Sequence, residues 1–348
     1  MHHPALLPPP LTEGLPGTGG RLRMLPEDFD VTELPAYEPS GQGEHCYLWV
    51  EKRGVGHEFF VNQVARRLQV HPADVGTAGM KDRHAVTRQW VSVPRAAEPN
   101  LPKLDGDGIH LLSATKHTNK LKPGHLRGNR FRVLIRDAVD VSLEPALARL
   151  RAEGLPNYYG PQRFGRDHET AVLGLAMLRG EKVARPNPFL RKLALSAAQS
   201  LLFNDVLMRR VADGLYRTVL AGDVMMKYPA GGLFVATDVP VEQARFDRRE
   251  TVTGGPMFGA KTFAAADVAA GREAKVLAEN GIATAMFEGF GKLVQGTRRH
   301  NIVYVDDLAA AREPDGLRLS FTLPAGSYAT VLLREVMKTA IEDGANFA

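Results

Sequence analysis

Alternating apolar and polar positions predict β-strands towards both ends of the chain. Residues 46–52 and 89–93 have the pattern of strands, and residues 58–68 between them have the apolar spacing of an amphipathic helix. Phe131, Val133 and Ile135 alternate with Leu134 and with arginines, which predicts a half-buried strand. Residues 317–323 alternate likewise, and a Pro-Ala-Gly turn then leads into a helix predicted from about 327 to 340. We therefore predict one α/β domain assembled from both ends of the chain.

The middle of the chain has a different pattern. From about 155 to 301, helical stretches such as 193–211 alternate with glycine-rich segments at 230–232 and 254–256, which we predict to be loops. Strand signals there are sparse. The first 22 residues or so are rich in proline and glycine, and we predict an extended or loosely ordered lead-in before Leu22.

Composition narrows the class of protein only slightly. A length of 348 residues allows two domains, and a hydrophobic content of 44% is sufficient for a substantial core. The formal net charge of +5 and a pI near 9.3 suit a polyanionic partner without requiring one. A single cysteine, Cys46, excludes an internal disulfide framework and a cysteine-cluster metal site, as expected of a cytoplasmic protein. We expect no signal peptide and no membrane span.

Asp82 is the residue with the most distinctive surroundings. It follows a glycine-marked turn at 76–79 and is flanked by Lys81, Arg83 and His84. These cations, the histidine if protonated, would favour an ionised carboxylate that acts as nucleophile or base. A surface turn with a solvated ion pair explains the same spacing. A phosphate-binding loop does not, because Asp82 stands where such a loop needs serine or threonine.

A comparison of whole motifs favours the functional alternative. The pattern Ala-Gly-x-Lys-Asp-Arg-x-Ala-Val-Thr-x-Gln at 78–89 resembles the signature of the TruD family of pseudouridine synthases. The resemblance continues in family order through four further blocks, at 128–131, 157–165, 200–204 and 323–330. It implies an α/β (α+β) fold with a mixed, largely antiparallel sheet. It also implies a catalytic domain formed by 1–154 and 302–348, interrupted by an inserted domain at 155–301. We expect that excising the insertion after Gly165 leaves a folded catalytic domain.

The resemblance also assigns roles to individual residues. Asp82 becomes the catalytic carboxylate, and Phe29, Asn129 and Tyr328 become the residues that receive a uridine flipped out of its RNA. Tyr328 departs from the commoner phenylalanine of the family. Three residues are possible supporting ones, namely Arg23 (where many members carry a lysine that pairs with the aspartate), Lys81 and Phe131. Strand alternation alone also accounts for burial of Phe131. A basic stretch at 116–132 would follow the phosphate backbone of the RNA.

The implied reaction is the isomerisation of uridine to pseudouridine in tRNA, at position 13. It breaks the C1′–N1 glycosidic bond and rejoins the base through C5, which requires a carboxylate but no redox cofactor and no metal. His57 has no second histidine four residues later, so a zinc helix is not predicted either. The partner is tRNA, no membrane is involved, and the oligomeric state stays open, a monomer being compatible with the sequence. The alternative is a non-catalytic RNA-binding or RNA-chaperone protein on the same scaffold.

Overall fold

A computed structural model describes residues 3–339 of the chain. Residues 1–2 and 340–348 lie outside this range, and so do the end of the predicted C-terminal helix and the outer ends of the predicted catalytic domain. The strands are β1 (Phe29–Pro35), β2 (His45–Arg53), β3 (Gly76–Thr77), β4 (Val86–Pro94), β5 (Ile109–His117), β6 (Leu126–Ile135), β7 (Leu155–Pro156), β8 (Val224–Lys227), β9 (Leu233–Val235), β10 (Thr251–Met257), β11 (Thr297–His300), β12 (Ile302–Val303), β13 (Ala309–Glu313) and β14 (Gly316–Pro324).

The α-helices include every helix expected from the sequence. They are α1 (His57–Leu68), α2 (Glu144–Glu153), α3 (Glu169–Leu178), α4 (Pro188–Ala212), α5 (Val239–Asp247), α6 (Asp267–Glu279) and α7 (Ala329–Met337). Across residues 3–339, no helix has the length and apolar character needed to cross a membrane.

The main sheet joins strands from both ends of the chain, as predicted. Its order is β13-β14-β6-β1-β4-β2-β5, with β3 paired to β4. β1 and β4 run parallel, whereas β6 pairs antiparallel with both β1 and β14. The sheet is therefore mixed and largely antiparallel, which confirms the predicted fold class.

The two faces of this sheet differ in character because side chains alternate along each strand. On the buried face, Phe29, Val31 and Val133 share one core with apolar side chains of α2 and α7. The other face, which we call the open face, carries polar side chains such as Asp30, and Arg130 and Arg132 are exposed there. Leu134 is an exception: the sequence pattern placed it opposite the buried residues, yet its exposed fraction is 3%.

A second sheet, which the sequence did not predict, occupies the middle of the chain. Its order is β11-β10-β8-β9, and β10 contains the Gly254-Gly255-Pro256 segment that was predicted to be a loop. That prediction was wrong because the glycines serve close packing. A Cβ atom built on Gly255 would lie 2.4 Å from Asn301 Oδ1 and 2.6 Å from a ring carbon of Phe203 on α4. The segment at 230–232 is a loop, as predicted.

The lead-in before Leu22 is irregular but tightly held, so the expectation of loose order was wrong. Ala5 and Leu6 are buried against the core that includes α3 and α4. The N–H groups of Leu11 and Thr12 donate to the buried carboxylate of Glu335 at 2.8 and 2.9 Å. Burial and hydrogen bonds to a distant helix fix this segment, and neither is visible in its own composition.

The predicted insertion 155–301 begins and ends at one small ladder, where β7 pairs antiparallel with β12. This brings the two ends of the segment together, as an insertion requires. The apolar core is nevertheless continuous, because Phe203 and Val252 of the segment belong to the same cluster as Phe29. Removal of the segment would therefore expose part of this core to water.

Candidate active site

A cavity of about 250 Å³ opens on the buried face of the main sheet beside Asp82. It is bounded by β1, β6, the loop at 78–85, a turn that carries Gln162, and the residues that lead into α7. The structure brings all seven predicted site residues to this one cavity, namely Arg23, Phe29, Lys81, Asp82, Asn129, Phe131 and Tyr328. Their chemical roles remain predictions.

Aromatic rings form one wall of the cavity. Phe29 is fully buried and meets Phe131 edge to face, with ring centroids 6.1 Å apart. Phe131 in turn stacks on Phe321 of β14 at 5.2 Å. Tyr328 is half-buried just before α7, its ring centroid lies 5.7 Å from that of Tyr159, and burial raises the pKa of its hydroxyl. Such walls suit a planar, uncharged ring.

Arg23 is the cation that contacts Asp82. Its Nη2 lies 3.4 Å from Asp82 Oδ2, and its guanidinium stands 4.5 Å above the ring of Phe29. The Arg23 backbone adopts φ = +56°, a left-handed conformation that is uncommon outside glycine. The Asp82 side chain remains 30% exposed, which leaves it accessible from the cavity.

Among the described residues, the cations next to Asp82 in sequence do not contact its carboxylate, contrary to the prediction. The Lys81 ammonium lies 2.7 Å from Glu33 Oε2, and both side chains are almost completely buried. Arg83 and His84 are exposed, and within residues 3–339 neither forms an ion pair with Asp82. The cation that pairs with Asp82 is therefore Arg23, which lies 59 positions earlier in the chain.

Two buried polar atoms at the cavity have no protein partner in the part of the chain that the structure describes. They are the amide oxygen Oδ1 of Asn129 and the hydroxyl oxygen of Thr330. Leaving such groups unpaired costs about 1–3 kcal/mol each, so native proteins seldom retain them without a ligand or water to bind. An amide oxygen and a hydroxyl can together accept and donate hydrogen bonds to a heterocyclic base.

Arg299 connects the second sheet to the rim of the cavity. Its Nη2 donates to Asn157 Oδ1 at 2.6 Å and to the carbonyl oxygen of Gly326 at 2.8 Å. The guanidinium also stacks on Tyr159 at 4.2 Å, and burial lowers its pKa from the ordinary arginine value. Ser327 completes the network with a bond to Asn157 Oδ1 at 3.0 Å. The turn before Tyr328 is thus fixed from the second sheet.

Several of these residues were not identified from the sequence. Gln162 and Thr330 lie inside quoted motif blocks, so the signal was present but was not interpreted. Glu33 and Arg299 have no local signal, because only the fold brings them to Lys81 and Gly326.

The predicted basic stretch at 116–132 is divided between two surfaces. Lys122 is exposed in the loop that touches the Asp82 loop through a bond from Gly124 N to Ala78 O. Arg130 and Arg132 alternate with the cavity-lining Asn129 and Phe131, so they lie on the open face. The loop part of the stretch is therefore the part beside the cavity.

Comparison with known proteins agrees with the motifs. The profile of the family described as "TruD: tRNA pseudouridine synthase D" matches residues 10–187 and 182–336. A tRNA pseudouridine synthase D of an Anaeromyxobacter species is 46% identical over 339 residues, covering 96% of this chain and 97% of the relative. The protein of the same name from Thermus thermophilus is 44% identical over 338 residues, covering 96% and 93%. A solved TruD structure from Methanosarcina mazei superposes with a TM-score of 0.76 at 23% identity, covering 93% and 94%, and supports the fold.

Proposed function

The chain belongs to the TruD family of tRNA pseudouridine synthases, and on this premise we propose that it isomerises a uridine in tRNA at the cavity beside Asp82. The target that we propose is position 13. The observation that carries the proposal is the arrangement of one partly exposed carboxylate, paired with Arg23, on the wall of an aromatic cavity.

Asp82 supplies the carboxylate that the reaction requires. Either it adds covalently to the substrate, or it removes a proton next to the anomeric carbon, and both roles need an ionised oxygen that reaches into the cavity. Arg23 holds the carboxylate at 3.4 Å and is itself held over Phe29, so the side chain is directed before substrate arrives.

The cavity walls hold the base while it turns. Phe29 and Tyr328 offer ring surfaces, with Phe131 behind them stacked on Phe321. The unpaired Asn129 Oδ1 can accept a hydrogen bond from the N3–H group of uracil, and the Thr330 hydroxyl can donate one to a uracil carbonyl. These contacts would keep the cleaved base in place between the breaking of one bond and the forming of the next.

The body of the tRNA would lie against the surface on the cavity side. Lys122 is exposed there, and we propose that the segment 155–301 forms the opposite wall, connected to the cavity rim through Arg299. A protein that only binds RNA has no use for a carboxylate facing an anionic ligand, so the non-catalytic alternative is not favoured.

One experiment tests the proposal. Purified protein is incubated with an unmodified tRNA transcript, and pseudouridine is mapped at single-nucleotide resolution beside an Asp82→Asn control. We expect conversion at position 13 with the wild-type protein and none with the variant. Conversion at another uridine would refute the assigned position, and binding without any conversion would refute the enzymatic function.

A further inference from the structure

Lys52 is a fully buried lysine beneath the loop that carries Asp82. It lies in β2 on the buried face of the main sheet, and within residues 3–339 no carboxylate forms an ion pair with it. Its ammonium instead donates to three backbone carbonyl oxygens, those of Val55 at 2.5 Å, Lys81 at 3.2 Å and Asp82 at 3.0 Å. A buried ammonium without a counter-ion is costly, and its three hydrogen bonds use every proton that it has.

These bonds hold the backbone in the middle of the loop, whereas Glu33 and Arg23 contact the side chains of Lys81 and Asp82. Residues 78–85 contain no helix or strand, and their two ends are held by backbone bonds from Gly124 and Gly54. Between those ends, the carbonyl groups of Lys81 and Asp82 both point to the Lys52 ammonium. Because these carbonyls belong to consecutive residues, their orientation sets the direction in which the Asp82 side chain leaves the backbone.

We propose that Lys52 is a positioning residue for the reaction, which holds the Asp82 backbone in its reactive orientation through a fully protonated ammonium group. The proposal rests on the proposed function, since it assumes that Asp82 is the reacting carboxylate. It adds a dependence on pH that Asp82 and Arg23 alone do not produce.

The environment of Lys52 makes the ammonium group titratable. Its pKa is lowered to about 8, because burial outweighs the opposing effect of Asp82 and the charge of Lys81 adds to the lowering. His57 of α1 also faces Lys52, and its own pKa is lowered by burial and by this lysine, so it stays neutral above pH 7. The strand neighbours of Lys52, Thr87 and Ile109, are uncharged. Above about pH 8 the neutral amine has two N–H donors for three carbonyls, and the loop loses one bond.

The test compares pH profiles of single-turnover rate for four proteins: the wild type, Lys52→Arg, Lys52→Met and a control, Val93→Ala. Val93 is equally buried in the adjacent strand β4 but pairs with Cys46, away from the loop, so the control reports on loss of core packing alone. Arginine serves as the conservative replacement for Lys52 because its side chain stays charged throughout this pH range.

We expect the wild-type rate to fall at least tenfold between pH 7 and pH 9.5, while Lys52→Arg shows no such fall. Lys52→Met should be slower at least thirtyfold at pH 7, with KM for tRNA within threefold and no alkaline fall. Val93→Ala should keep the wild-type profile. A flat wild-type profile, or a Lys52→Arg profile that falls like the wild type, overturns the proposal even if Lys52→Met does not fold.

Hydrogen exchange supplies a readout that needs no turnover. Amides in 78–85 should exchange at least fivefold faster in wild type at pH 9 than at pH 7 after correction for the intrinsic rate, and Lys52→Arg should remove this difference. If the protection of these amides is the same at pH 7 and pH 9, the proposal is overturned whether or not the protein is active. An absence of pseudouridine formation by the wild type instead refutes the proposed function, so the two failures are distinguishable.

Discussion

The buried pair formed by Lys81 and Glu33 allows a quantitative test of what the lysine does. The Glu33 side chain is 1% exposed, and the variant Lys81→Met would leave its carboxylate with the Trp90 N–H, 3.3 Å away, as its hydrogen-bond donor. Breaking a buried pair from one side typically costs about 3–5 kcal/mol, because a charge is left without its partner. The exposed fractions of 4% and 1% mean that solvent screening gives little relief.

That loss should be visible in thermal unfolding. For 348 residues an unfolding entropy of about 2.1 cal/mol/K per residue converts about 3–5 kcal/mol into a fall of about 4–7 °C in Tm. The double variant Lys81→Met with Glu33→Leu removes both charges and should recover most of this fall, since well-packed apolar pairs replace buried ion pairs at little cost. The coupling free energy in the double-mutant cycle should exceed about 2 kcal/mol.

Activity in the same variants separates a structural role from an electrostatic one. If Lys81 serves Glu33, the double variant should isomerise tRNA within about tenfold of wild type, which is about 1.4 kcal/mol of barrier. The reasoning would be refuted if Lys81→Met melts within about 1 °C of wild type. It would also be refuted if the stability losses of Lys81→Met and Glu33→Leu simply add in the double variant. A stable but inactive double variant would instead indicate that the charge of Lys81 acts on Asp82.

Three further outcomes follow from the site and the fold. Asp82→Asn should lower turnover by at least about a thousandfold with tRNA affinity near wild type, since the amide is neither nucleophile nor base; titration binding and single-turnover assays check this. Lys122→Glu should weaken tRNA binding and flatten the plot of log K against log salt by roughly 0.7–0.9 per lost phosphate contact, whereas Arg132→Glu on the open face should leave the slope unchanged. Replacing 166–301 by a short linker should yield an insoluble protein, because the shared core is cut; a folded monomer by circular dichroism and gel filtration would contradict the continuous core.

The sequence predicted those elements whose pattern has a single physical cause. Alternation in β6 and β14 follows from one covered and one open face, so both strands were predictable. β10 was not predictable, because its glycines and proline have the composition of a turn, although Gly255 is required by its close contact with Phe203 of α4. The composition of a segment indicates how flexible its backbone is, but it does not indicate which distant helix will pack against that segment.

The site shows the same division. Asp82 and Asn129 lie in blocks long enough to match a family, and the structure places both at one cavity. Lys52 and Glu33 carry charges that would ordinarily be assigned to an exposed surface. Their function depends on carbonyls and an ammonium that approach from other strands, and those distances are properties of the tertiary fold alone.

The order of strands in the main sheet has a consequence for synthesis. β6 lies between β1 and β14, but β14 begins 181 residues after β6 ends, as the difference between positions 316 and 135 shows. At a translation speed of about 5–20 residues per second, a nascent chain exposes one edge of β6 for roughly 10 to 40 s before its partner leaves the ribosome. Charged side chains on an unpaired edge discourage pairing with foreign strands. Arg130 and Arg132 would therefore protect the growing chain well before any tRNA is bound.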